Sequence, residues 1–314
     1  MCRAALLLVA LAVASAAGGC GLGAGESTEG GASLLVTRDF GTRQVGSGSI
    51  ETIPGGETVM RLLQRDFEVE TRYGGGFVQQ INGVAGGRED GRPVDWFYYV
   101  NGILAGDGAA AHKVAASDRI WWDHHDWGAS AQVNAVVGAF PEPFASGSEG
   151  KRLPVRLDCA ADAGDACDEV AERLGDAGVK VGRSAAGSFG GVGVLRVKVG
   201  RWEDVRKDPA VRQLEEGPKA SGVYAQPNAT GDRIELLGPD GEGERTLGPG
   251  AGLVAATRLG GEAPTWIVTG TDAVGVAAAA AQLQEDALRY RFAIAVEDGR
   301  PTPLPIQPPP EAPS

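Results

Sequence analysis

Hydrophobic and polar positions along the chain change period several times. Behind Arg3, residues 4–13 form an unbroken apolar run, and residues 14–19 are small. A permanent membrane helix needs about 20 apolar residues, so this shorter run predicts a cleavable signal peptide over residues 1–19. From residue 33 the pattern becomes that of short strands. Residues 33–38, 69–73, 77–81, 95–100 and 119–123 each read as a strand, and residues 56–63 read as one helix entered through Pro54-Gly55-Gly56. Asn82-Gly83 and Asn101-Gly102 supply turn signals, because both residue types tolerate positive φ.

The second half alternates differently. Residues 153–157 predict a strand, 165–174 a helix ending at Gly175 or Gly178, and 192–199 a strand. Residues 202–214 have helical spacing, and residues 223–225 and 233–237 read as strands. A buried-type strand over 265–270 then leads into an alanine-rich helix over 273–288 and a returning strand over 291–296. Strand, helix, strand in that order predicts a parallel crossover. The chain is therefore expected to be α+β: an N-terminal β-grasp-like sheet domain with one helix over residues 33–140, then a C-terminal α/β layer domain over residues 153–298. Residues 20–32, rich in Gly, Ser and Glu, predict a flexible tether. Residues 133–140 add one further strand, residues 141–152 a linker or an ordered crossing, and the proline-rich residues 299–314 an extended, poorly ordered tail. Asp272 fills the helix N-terminus after Gly270 with its own carboxylate, as an N-cap, which argues against an anion there.

Composition narrows the functional classes. A net charge of −12 over 314 residues suits a soluble portion of about two domains and offers no basic face for nucleic acid. Ala17-Gly18-Gly19-Cys20 fits a lipoprotein cleavage box. It implies acylation of Cys20 and a lipid anchor on the outer face of the cytoplasmic membrane; ordinary secretion with Cys20 incidental is the alternative. Once Cys2 leaves with the signal, Cys159 and Cys167 are the remaining pair. Outside the cell such a pair reads as a disulfide, a free thiol being the other reading, and zinc would lack nearby partners.

Four of the six tryptophans fall between Trp96 and Trp127. In a strand, Trp96, Tyr98 and Val100 share one face, and Phe97 and Tyr99 the other. If the helix covers one face, the second offers rings to a ligand; if loops cover both, the rings are core. The candidate ligand-binding residues are Trp96, Tyr98, Tyr99, Trp121, Trp122, His124 and His125. His124 and His125 are adjacent and point to opposite faces, so one metal or a corrin cobalt could use both only with help from His112 or Asp107. No metal site is assigned. Gly-x-Ser-x-Gly and a Ser-His-Asp order are absent, and no enzymatic activity is expected.

The order of a strand, the Glu57-Thr58-Val59-x-x-Leu62-Leu63 helix, Asn82-Gly83, Trp96-x-Tyr98-Tyr99-Val100-Asn101-Gly102 and Asp118-Arg119-Ile120-Trp121-Trp122 resembles the transcobalamin-like C-terminal domain family. That family includes the smaller domain of transcobalamin and intrinsic factor. The resemblance spans residues 33–127, near a third of the chain. It implies the sheet fold and cobalamin, or another bulky solute, as ligand rather than as a resident cofactor. The helical barrel of the vitamin carriers has no counterpart in this sequence. Two functions follow as expectations: an extracytoplasmic small-molecule binder, or a non-catalytic envelope adhesion or interaction module with a protein or polysaccharide partner.

Overall fold

The computed structural model describes residues 26–148, 150–185 and 193–308. The signal segment and Cys20 lie outside the described residues.

Thr28–Arg38 (β1) and Arg43–Ile53 (β2) form an antiparallel hairpin, followed by the helix Val59–Asp66 (α1). Val69–Arg72 (β3), Phe77–Ile81 (β4) and Val84–Ala85 (β5) make a small separate sheet. Gly87–Glu89 (β6), Arg92–Val100 (β7), Ile103–Leu104 (β8) and Asp118–Asp126 (β9) complete the main sheet, ordered β2-β1-β9-β7-β6 with β8 on β7. Strand β1 runs parallel to β9, and β7 antiparallel to it. Thr58 caps α1 by accepting the Arg61 amide hydrogen at 3.2 Å, and the helix buries Val59, Met60, Leu62 and Leu63 on the sheet. At the β7–β8 hairpin Asn101 and Gly102 take φ of 55° and 76°, the left-handed pair that a two-residue turn requires.

The second half opens with Val155–Cys159 (β10), Gly164–Asp176 (α2), Val181–Ala185 (β11) and Leu195–Arg201 (β12). Three short helices follow, Trp202–Val205 (α3), Pro209–Arg212 (α4) and Pro218–Ser221 (α5), then a small sheet of Ala225–Pro227 (β13), Ile234–Leu237 (β14) and Gly243–Leu247 (β15). Gly252–Thr257 (β16), Thr265–Gly270 (β17), Ala273–Ala281 (α6), Glu285–Leu288 (α7), Ala293–Glu297 (β18) and Arg300–Leu304 (β19) finish the described chain. The seven-stranded sheet runs β11-β10-β12-β17-β16-β18-β19, parallel over the first four and antiparallel over the rest. Both halves combine sheets and helices, the α+β class that the patterning implies.

Several local expectations are corrected. Strand β1 begins at Thr28 rather than residue 33, because Gly30 and Gly31, at φ 109° and 49°, let it continue through a bulge to pair with β2. Residues 133–140 form no strand. Their backbone is shared between the two halves: the Val136 amide donates to Gly102 and the Val137 amide to Phe292. The expected linker over 141–152 is an ordered crossing at its start, where Phe144 packs on Trp266 with ring centroids 4.9 Å apart. The alanine-rich helix stops at Ala281, and Glu285 and Asp286 start α7, acidic groups being favourable in a first helical turn. Asp272 caps α6 as expected, accepting the Gly275 amide at 2.9 Å. In the tail expected over 299–314, residues 300–304 form edge strand β19. Its prolines alternate, so their missing N–H groups fall on the unpaired side.

One hydrophobic cluster joins the halves. Phe40, Tyr99, Trp121, Val133 and Val136 pack with Trp202, Tyr224, Leu253, Ile267 and Phe292.

Candidate functional site

Strands β7 and β9 place the predicted residues opposite one another: Trp96 faces His124, Tyr98 faces Trp122, and Tyr99 faces Trp121. The first two pairs lie on the face covered by α1. The third lies on the opposite face, where the second half of the chain takes the position left open for a ligand. Trp96, Tyr98, Tyr99, Trp121, Trp122, His124 and His125 are all buried, so most of this string is core.

Both histidines have internal partners, whereas the Tyr99 hydroxyl and the Trp122 indole N–H are buried without a hydrogen-bond partner among the described residues. The His124 Nε2–H donates to the Ala85 carbonyl at 3.1 Å, and burial holds this imidazole below its ordinary pKa. The His125 Nδ1–H donates to Asp123 at 2.8 Å while its ring stacks on Phe97 at 4.5 Å. Asp123 also accepts the Phe40 and Gly41 amides at 3.0 and 2.9 Å, and it accepts the Thr37 hydroxyl. This carboxylate therefore fixes the left-handed turn at Asp39 and Phe40. Among the described residues no group of three or more His, Cys, Asp or Glu side chains is placed to hold a metal ion.

Trp121 alone of the predicted set lines an open cavity, of about 340 Å³, between the halves. Leu35 of β1, Ser47 of β2 and Arg119 of β9 form one wall; Gly138, Glu285, Arg289 and Tyr290 form the other. The Trp121 indole N–H donates to Thr37 at 2.7 Å, which leaves its ring for packing. Arg119 donates to the Phe140 carbonyl at 3.0 Å and to Glu285 at 2.8 Å, bridging the halves at the rim. Close approach sets the floor: a Cβ on Gly138 would lie 2.7 Å from both Trp121 Cζ3 and the Arg291 nitrogen. Tyr290 sits at φ 61°, an outlier for a bulky residue and one of the places where local strain gathers at sites. Sequence reading missed Gly138 and Tyr290, since neither periodicity nor turn chemistry signals a left-handed tyrosine.

The Cys159–Cys167 disulfide forms, linking the end of β10 to the first turns of α2. His112 and Asp107 also meet, with Nδ1 2.8 Å from Oδ1, and neither is a hydrogen-bond partner of His124 or His125.

Residues 56–126 match the family model described as a domain of unknown function (DUF4430). No curated protein matches the chain. Haptocorrin in complex with Cbi is a structural neighbour at 13% identity and TM-score 0.25, covering 31% of this chain; the match spans only 25% of haptocorrin. A protein from Ruminococcus gnavus ATCC 29149, proposed to bind metal, aligns at 12% identity and TM-score 0.24, over 31% of this chain and 98% of its own.

Proposed function

We propose that this chain is an exported, non-catalytic ligand-binding protein, lipid-anchored through Cys20 to the outer face of the cytoplasmic membrane, that receives a small planar solute in the Trp121 cavity. The observation that carries the reading is an open cavity between the halves, floored by an indole and rimmed by Arg119, Arg289 and Glu285. Its volume of about 340 Å³ lies at the lower end of the range for small-molecule sites, roughly 300–1,000 Å³. A corrinoid, the ligand implied by the transcobalamin-like resemblance, would enter by one edge; a compact aromatic solute with one anionic group would enter whole. An envelope partner is the second reading, supported by Tyr73, 88% exposed beside the half-exposed Phe77 at the β3–β4 tip.

The test is titration of the protein lacking residues 1–20 with cobinamide and with benzoate- and indole-type carboxylates, following tryptophan emission. Saturable quenching, lost when Ser47→Trp fills the cavity from its exposed wall, is the expected result. No saturable response to any of these ligands would end the small-solute reading and leave the envelope partner.

A further inference from the structure

A second cavity system lies on the other side of the join and shares no lining residue with the Trp121 cavity. Two adjoining hollows of about 530 and 490 Å³ have Gly106, Asp107 and His112 in common. The larger is open and lined additionally by Lys113. The other runs between the halves, from Val100, Ile103 and Leu104 to Leu153 and Ala263, with Lys151 and Arg258 on its walls. In a chain of net charge −12, the described residues of these walls gather two lysines, an arginine and an imidazole against one carboxylate, that of Asp107.

The partners of these groups leave their charge facing the cavity. Among the described residues neither Lys113 nor Lys151 forms an ion pair. Arg258 uses its Nε–H on the Glu262 backbone carbonyl at 2.6 Å, a neutral acceptor that leaves the guanidinium charge uncompensated. Asp107 is held in place: the Tyr98 hydroxyl, kept protonated by burial, donates to the Asp107 carbonyl at 2.7 Å, and the Asp107 carboxylate receives the His112 Nδ1–H at 2.8 Å. In the neutral ring this orientation leaves Nε2 as a hydrogen-bond acceptor, so His112 shapes the wall and the lysines and Arg258 supply the donors. The His112 side chain is only 13% exposed, so its position is set by the fold and not by solvent. An apolar wall opposite fixed donors and unpaired cations is the lining that orients an amphipathic anion.

We infer that this groove binds a soluble amphipathic oxyanion, a carboxylate or phosphate monoester with a short apolar body, its head on Lys151 and Arg258 and its body on Ile103, Leu104 and Leu153. The inference stands independently of the Trp121 cavity.

Isothermal titration of the protein lacking residues 1–20 with hexanoate and hexyl phosphate tests it, with hexanol as the uncharged control. Saturable binding of at least one anion and none of hexanol is expected. Lys151→Glu with Arg258→Glu should weaken that binding more than 10-fold in a protein whose circular dichroism remains that of the folded parent, and Ser47→Trp should leave it intact. Absence of saturable binding by both anions, equal binding of hexanol, or indifference to the charge reversal would each overturn the inference. Vesicles of phosphatidylcholine and phosphatidylglycerol at 3:1 separate the sources of the anion. Sedimentation with vesicles in the absence of any binding to the free anions would assign the cations to a lipid surface and overturn the soluble ligand.

Discussion

The Trp121 indole meets Phe292 edge to face, with ring centroids 5.2 Å apart and planes at 77°. Trp121 belongs to the first sheet and Phe292 to the segment entering β18, so this contact crosses the join. Phe292 also lies against Phe40 at 5.1 Å, Tyr99 at 5.7 Å and His125 at 5.3 Å. One ring of the second half thus fills the open face of the first.

The halves should therefore unfold as one unit. Phe292→Ala removes a buried aromatic at a site whose neighbours come from both sides, a change that costs about 3–5 kcal/mol. Calorimetry of the parent protein is expected to show a single transition, and that of the variant a single transition at lower temperature. Two transitions, with the N-terminal one unmoved by the substitution, would mean that the shared cluster does not couple the halves.

The same contact explains how far sequence reading reached. The alternation Trp96-Phe97-Tyr98-Tyr99 correctly divides the rings between two faces, the Asn101-Gly102 turn is where its chemistry demands, and the Cys159 and Cys167 pairing follows from cysteine count. Period-two patterning says that a face is apolar without saying what covers it. Here the cover is Phe292 and Tyr224, more than 100 residues away in the chain, so a face that could have served a ligand is core. A local hairpin with β18 also turned Pro301 and Pro303 into part of an edge strand that composition alone reads as a tail. The cavity survives only at the margin of this packing, where the buried Trp121 is one of its lining residues.

Loss of the disulfide has a calculable effect. Cys159 and Cys167 are separated by 8 positions, and closing a loop of that length restricts the unfolded chain by about 2–3 kcal/mol. Cys159→Ser with Cys167→Ser should lower the urea-unfolding free energy by about that amount, with tryptophan emission of the folded state unchanged. An unchanged midpoint in the double variant would mean that the bond adds nothing to folding.

His124 gives a pH dependence of known sign. Burial lowers its pKa below the ordinary 6.5, the bond to Ala85 opposing part of that effect. The unfolded chain then takes up a proton near pH 6.5 that the folded chain refuses. This contribution to stability is fully present above that pH and is lost as pH falls toward the folded-state value. Urea unfolding from pH 7.5 to 5 is expected to show stability declining with acidity, and His124→Gln a shallower decline. The same slope in both proteins would exclude His124 as the cause.

Beneath the parallel strands, Lys198 Nζ lies 2.7 Å from Asp158 and 3.0 Å from Asp208, while Arg196 lies 2.7 Å from Asp208, all four side chains being buried. Asp208 sits below its ordinary carboxylate pKa of 3.8: burial alone would raise it, and Lys198 and Arg196 outweigh that effect. Its contribution is therefore present above pH 3.8 and is lost as acid protonates the folded protein below that value. Removing Lys198 leaves Asp158 to pair with Arg156, at 2.8 Å, and Asp208 with Arg196, so the cost approaches from below the about 3–5 kcal/mol of breaking a buried pair. Lys198→Met should destabilise by that order, because Asp158 and Asp208 both lose the ammonium. Adding Asp158→Asn to Lys198→Met removes the fully buried carboxylate and leaves the partly exposed Arg156 to solvent, which should recover part of the loss. A double variant no more stable than Lys198→Met, measured by urea unfolding at pH 7, would show that packing and not charge pairing sets the cost.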